Sequence, residues 1–271
     1  MLAPYTGLAV TFESVAENLR ESFRVVAAGR GKGEIRELRG VSIASAGVKF
    51  QMFNAAFLSS PVSTEAELAQ RILLASLHFE SRRLAWAYWV CEDMLEPRTR
   101  RASRRIFEQH GLRHSVDLPG MLAERVAPPA KPLPAFEIRK VHDAATRDAF
   151  CAIASVCFHV PIQWFLEVFD DLAVWNHFAA YVGYVDGEPV STTAIVLGGH
   201  AIGVYNVATV PQHQHHGYGE AIMRHALAQA YKAHGLERSI LQSTPAGARL
   251  YHRMGYQTVA KIAVYASAQS G

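Results

Sequence analysis

NVATVPQHQHHGYGE, residues Asn206 to Glu220, decides the fold of this chain. A β-branched run ends at Pro211, a polar loop carries Gln214, His215, His216, Gly217, Tyr218 and Gly219, and an amphipathic segment follows at once. The order is strand, loop, helix. The first backbone N–H groups of a helix lack intrahelical partners and lie at the positive end of its dipole, so phosphate oxygens bind there without a basic side chain. Glycines at 217 and 219 allow a positive φ or a close approach of backbone to phosphate. The stretch predicts a ligand bearing a diphosphate.

Outward from it, the helix after Gly219 places Ile222, Met223, Ala226, Leu227, Ala230 and Tyr231 on one side and ends at Gly235. Ser239 to Ser243 reads as a strand, Gly247 to Met254 as a short helix closed by Gly255, and Tyr256 to Ala266 as a last extended segment. Upstream, Phe178 to Val185 and Pro189 to Leu197 flank the turn signal Asp186-Gly187, and Gly198-Gly199-His200 leads into the strand of the opening stretch. Before them come a strand (136–142) and helices over 144–157 and 162–170.

Four prolines in nine residues, APPAKPLPA at 127–135, can form neither helix nor central strand, and a domain boundary is expected there. The expected division is 1–126, a linker at 127–135, and 136–271. In the first part a helix is expected over 13–26 and a hairpin of strands 34–43 and 48–58 turning at Ala46-Gly47. A helix capped by Thr64 and Glu67, a strand at 84–91 and a helix over 98–110 follow. Both halves read as α/β.

A chain of 271 residues, half of them hydrophobic, is long enough for two domains and too apolar to be largely disordered. A net charge of +3 falls far short of a dedicated nucleic-acid binder, so no nucleic-acid partner is expected. Cys91, Cys151 and Cys157 are too few and too irregular for a disulfide framework, which points to reduced thiols in a cytoplasm. No apolar run approaches a membrane span, and MLAPYTGLAVTFESV lacks the parts of a signal peptide. Cytoplasmic location without a membrane partner is the expectation, and a homodimer is compatible with it.

The C-terminal order of elements resembles the GNAT superfamily of acyl-CoA-dependent N-acyltransferases. Gln214 to Gly219 fits the Arg/Gln-x-x-Gly-x-Gly/Ala loop of that family, and Gly247 to Tyr256 is similar to its Ala-x-x-Leu-Tyr-x-x-x-Gly-Phe/Tyr block with glycine replacing alanine. The resemblance implies acetyl-CoA as cosubstrate, no metal, and transfer to a small-molecule or peptide amine. It implies that Val207, Ala208 and Thr209 offer backbone groups to pantetheine and acetyl carbonyl, and that His215, His216, Gly217, Tyr218, Gly219 and Glu220 line the pyrophosphate. Thr244 stands where many relatives have a CoA-contacting asparagine. The N-terminal half looks similar to the degenerate companion domain of tandem GNAT proteins, through Trp86-Ala87-Tyr88-Trp89, the segment ending His110-Gly111-Leu112, and Pro119-Gly120-Met121. It lacks a Gln-x-x-Gly-x-Gly loop, so CoA is expected in the second half alone.

By the same resemblance Tyr251 is the general acid that protonates the departing thiolate. No general base is assigned: Tyr205 and Asn206 stand where some relatives carry a carboxylate, Ser239 stands at another such place, and Glu167, Asp170, Asp171 and His200 read as solvated or capping residues. A water chain is the expected substitute. His213, His215 and His216 lie in a loop committed to phosphate, a poor metal cage. Arg98, Arg100, Arg101, Arg104 and Arg105 read as a solvated helix face. The aromatic cluster Trp86, Tyr88, Trp89 reads as packing against a helix or the other half. Two readings compete. A dinucleotide fold would want a small residue where Ile222 stands, and a catalytically silent CoA-binding sensor or interaction module is suggested by the missing base.

Overall fold

A computed structural model describes residues 11–268. In the first half helix α1 (Thr11–Ala28) precedes β1 (Glu34–Leu38), β2 (Val41–Ser45), β3 (Asn54–Leu58), α2 (Glu65–Glu80), β4 (Ala87–Cys91), α3 (Pro97–Gln109) and β5 (Leu112–Ala123). The second half contributes β6 (Glu137–Lys140), α4 (Ala144–Phe158), α5 (Ile162–Phe169), β7 (Ala179–Val185), β8 (Glu188–Gly198), β9 (Ala201–Thr209), α6 (Tyr218–His234), β10 (Ser239–Gln242), α7 (Pro245–Arg253) and β11 (Gln257–Ser267). The fold is mixed α/β. All eleven strands form one sheet in the order β1-β2-β3-β4-β11-β5-β10-β9-β8-β7-β6, and residues 127–135 carry neither helix nor strand.

Local chemistry sets the ends of these elements. Thr64 Oγ1 accepts from the Glu67 amide while the Glu67 carboxylate accepts from Ser63 N, and α2 begins there. Asp143 and Thr146 form a reciprocal capping box on α4. α6 starts from Gly217 at φ +89° and stops at Gly235 at φ +70°, the left-handed conformation glycine adopts without a Cβ penalty.

Two expectations are corrected. The first hairpin turns at Arg39-Gly40, with Leu38 opposite Val41, and not at Ala46-Gly47. The Asn54 side chain explains the break after β2: its Oδ1 accepts from Gly47 N and its Nδ2 donates to Val48 O and Ala85 O, holding 46–53 as a loop with a 3-10 turn. The second concerns a stretch to which no element was assigned: LRHSVDLPGMLA, between the helix ending at 110 and the proline-rich segment, is the strand β5.

Proline survives inside β5 because of where β5 loses a neighbour. β10 pairs with it only from Gly120 to Ala123, and Pro119 O accepts from Ser243 N on that same side. The missing N–H therefore falls where the β10 ladder has ended, and no sheet bond is lost. Gly120 is required by close packing: a Cβ there would stand 2.8 Å from Val15 Cγ1 of α1 and 2.9 Å from Ala260 Cβ.

The strand order has a pseudo-twofold about the β5–β11 pair. β3 and β4 are parallel on one side, as β9 and β10 are on the other, and β11 and β5 are antiparallel to the strands they flank. Each half gives its last strand to the other. β11 lies between β4 and β5 of the first half, and β5 lies between β11 and β10 of the second. The cores follow suit. Tyr265 of β11 stacks on Phe107 of α3 at 4.0 Å, whereas Met121 of β5 packs with Ile222, Met223 and Met254.

α1 locks the halves together. Buried Asn18 donates to the carbonyls of Val196, Gly198 and Ala201 and accepts from the Tyr205 hydroxyl at 2.6 Å. A Cβ on Gly203 would stand 1.9 Å from Asn18 Oδ1, so only glycine lets α1 seat on β9. Among the described residues no helix is long and apolar enough to cross a membrane.

Candidate active site: a split strand pair, a helix N-terminus and an apolar cavity

β9 and β10 pair only at Ile202–Ser239 and Gly203–Ile240 and then diverge. Beyond that point the edge of β9 facing β10 has no ladder, and such an edge can pair with the amides of an extended ligand. A bulge helps to turn it. Thr192 pairs with Ala208 but Ala194 pairs with Tyr205, so Asn206 and Val207 together oppose one residue. Asn206 sits at φ +48°, and its carbonyl accepts from Thr192 Oγ1 at 2.8 Å. The Thr209 carbonyl is occupied within the chain, accepting from Gln214 Nε2. Val207 and Ala208 remain as neighbours of the gap.

The loop from Gln214 to Gly217 is tied to itself. His216 Nδ1 contacts Gln214 O at 2.8 Å, and His215 adopts φ +65°. The first α6 amide to find a helical partner is Ala221 N, on Gly217 O. The amides of Tyr218, Gly219 and Glu220 precede it and face the loop opening. Glu220, the acid of this first turn, is paired with Arg224 at 2.8 Å, which offsets its charge next to a prospective anion. Gly217 needs its positive φ, and a Cβ there would also approach Pro134 Cδ at 3.1 Å. Gly219 needs only space, since its nearest neighbour would be Thr209 Oγ1 at 3.2 Å. Tyr218 packs on Phe136 at 5.0 Å.

Thr244 caps α7, its Oγ1 accepting from Gly247 N, and stands exposed at the mouth of the gap. Tyr251 is buried on α7, with its ring against Gly247: a Cβ at 247 would stand 2.8 Å from Tyr251 Cε2. Burial alone pushes the Tyr251 phenol up to about 12. The proton is thus held throughout the neutral range.

On the opposite face of the sheet lies a cavity of 330 Å³ whose lining includes Asn206 of β9 and Gln242 of β10. Phe158, Phe165, Phe169 and Phe178 wall one side, and the first half supplies Phe23, Phe50, Phe53 and Trp89. No Asp, Glu, His, Lys or Arg is among its lining residues. Glu167 accepts from Lys49 N, Asp171 caps a 3-10 turn, Asp170 is solvent-exposed, and His200 lies exposed in the β8–β9 turn. Among the described residues, no group of three or more His, Cys, Asp or Glu is placed to hold a metal.

The aromatic cluster of β4 divides by strand alternation. Trp86 stacks on Phe79 and Tyr88 packs on Phe107, while Trp89 packs on Phe23 at the cavity. The arginines of α3 are largely paired: Arg100 with Glu92 and Asp93, Arg104 with Glu108, and Arg98 and Arg105 with Glu65. What sequence reasoning missed is the contribution of the first half to the cavity.

Residues 176–258, which include the bulged strand, the loop and α7, match the family model described as an acetyltransferase (GNAT) domain. The chain carries a GNAT domain. Across the whole chain the fold is shared with solved GNAT structures. A GCN5-related N-acetyltransferase from Kribbella flavida covers 98% of this chain and 97% of its own at TM-score 0.70 and 18% identity. A tandem GNAT protein from the clavulanic acid biosynthesis pathway covers 100% and 98% at TM-score 0.55 and 11% identity. A putative GNAT acetyltransferase from Novosphingobium aromaticivorans covers 95% and 99% at TM-score 0.54 and 16% identity. No curated protein matches. The split β9–β10 pair and the α6 N-terminus both fall inside the GNAT domain, and the acyl-CoA chemistry of that family is what the site suits.

Proposed function

We propose that the GNAT domain transfers an acetyl group from acetyl-CoA to a primary amine by direct attack. The observation that carries this reading is the juxtaposition of the unpaired β9 edge with the free amides of α6. One end suits the amides of pantetheine and the other suits the pyrophosphate. An amide near Val207 or Ala208 would polarise the thioester carbonyl as an oxyanion hole does. The amine nitrogen forms a bond to the acetyl carbon, the carbon–sulfur bond breaks, Tyr251 donates its proton to the thiolate, and the proton lost by nitrogen passes through water and restores the Tyr251 phenol.

Calorimetric titration with acetyl-CoA, with NAD as control, tests the ligand: saturable binding of acetyl-CoA and none of NAD is expected. Tyr251→Phe should lower kcat roughly 100-fold or more with little change in acetyl-CoA affinity. A wild-type rate would remove Tyr251 from the mechanism. Because its pKa is raised, the protonated form persists to higher pH, and a rate profile should show no fall near pH 10, where a free phenol would lose its proton.

One observation favours a second reading. A cavity lined without a titratable base also suits a silent CoA-binding module. Tight acetyl-CoA binding with no turnover over a broad amine panel would establish that module instead.

A further inference from the structure

The cavity behind the gap carries information about the acceptor. At 330 Å³ it is about twice the ~150 Å³ that accommodates a benzene ring in a protein interior. Its walls are aromatic from both halves of the chain, and its lining holds no charge to pair with an ammonium, a carboxylate or a phosphate. A polycation or a sugar would lose its hydration there without replacement. Trp89 and Gln242 are among the cavity's lining residues. The rim is wet, with Phe158 38% exposed and Thr244 exposed, so a ligand can enter from solvent while CoA occupies the other face.

Resting on the acyltransferase reading above, we propose that this cavity is the acceptor site, and that the acceptor is a primary amine on an uncharged aromatic body about two fused rings in size. The same walls account for a missing base. An apolar site disfavours the ammonium form, so the amine is bound neutral and its surplus proton leaves after attack rather than before. The reaction balances as amine plus acetyl thioester giving amide plus thiol.

The test is an initial-rate panel with acetyl-CoA: naphthylmethylamine and phenylethylamine against spermidine and glucosamine. The aromatic amines should have kcat/KM roughly 10- to 100-fold higher, the range expected for burying one aromatic group. Phe158→Arg, at a rim position exposed enough to tolerate it, should erase that preference while leaving the acetyl-CoA Kd unchanged. Turnover with equal or better use of spermidine or glucosamine would overturn the proposal and leave the acyltransferase reading intact. So would a preference for octanoyl-CoA over acetyl-CoA, with the longer chain competing against naphthylmethylamine, because the cavity would then hold the acyl group. Naphthylmethylamine binding that Phe158→Arg weakens, in a protein that neither binds nor turns over acetyl-CoA, would sustain the ligand class while removing the transferase.

Discussion

Expressed without residues 1–126, the second half should fail to fold. β11 has β4 and β5 as its neighbours, both from the first half, so residues 127–271 alone would leave that strand with no partner in the sheet. β10 would lose β5 as well, and Tyr256, Met254 and Tyr251 would face a core missing Met121 and Ala123. The first half is no better placed. Its β5 lies between β11 and β10, and its core would lose Tyr265 from the stack on Phe107. Unpaired edges of this length and apolarity favour aggregation. Far-UV circular dichroism and size exclusion are the measurements: the isolated piece should aggregate and show no cooperative melt. A chain cut between Lys131 and Pro132 should keep both pieces together, because 127–135 carries no sheet bond. A monomeric 127–271 fragment with a sharp melting transition would sink this view.

Gly219→Phe should abolish measurable acetyl-CoA binding while leaving the fold intact. Residue 219 has no positive φ and lies on the first turn of α6, so the backbone accepts a side chain there. The nearest obstacle to a Cβ is Thr209 Oγ1 at 3.2 Å, beside the gap where the amides of 218–220 are free. A phenyl ring in that space would displace a phosphate from at least two amide hydrogen bonds. Bonds to a charged group contribute about 1.5–3 kcal/mol each, so affinity should fall about 100-fold or more. Calorimetry reads the loss, and an unchanged melting temperature shows that the variant is folded. Wild-type affinity would remove the α6 N-terminus from the binding site.

Local signals were enough for most of the elements. The Thr64 and Asp143 caps, the glycines that bound α6, and the alternation of β7 to β9 act within a few residues of one another, so each was legible along the chain. The strand–loop–helix order from Asn206 to Glu220 was legible for the same reason: a helix N-terminus with its glycine start is made by one continuous stretch. Asn206 and Val207 already stood in that stretch, but the bulge that turns them away from β8 depends on register with Thr192 and Ala194.

What the sequence by itself determined is therefore the GNAT-like order of the second half, the glycine-bounded loop that opens α6 and the position of Tyr251 on α7. Tertiary structure alone decided three other things. Residues 112–123, to which no element was assigned along the chain, form a central strand that accommodates Pro119 because the β10 ladder ends beside it. The expected two-domain division does not divide the sheet, since β5 and β11 cross between halves separated by a long stretch of chain. The cavity draws Phe23, Phe53 and Trp89 from one half and Phe165, Tyr205 and Gln242 from the other. No periodicity links residues so far apart. Their meeting is set by strand pairing and by the seating of α1 on Gly203 through Asn18, both long-range packing events that local propensity does not encode.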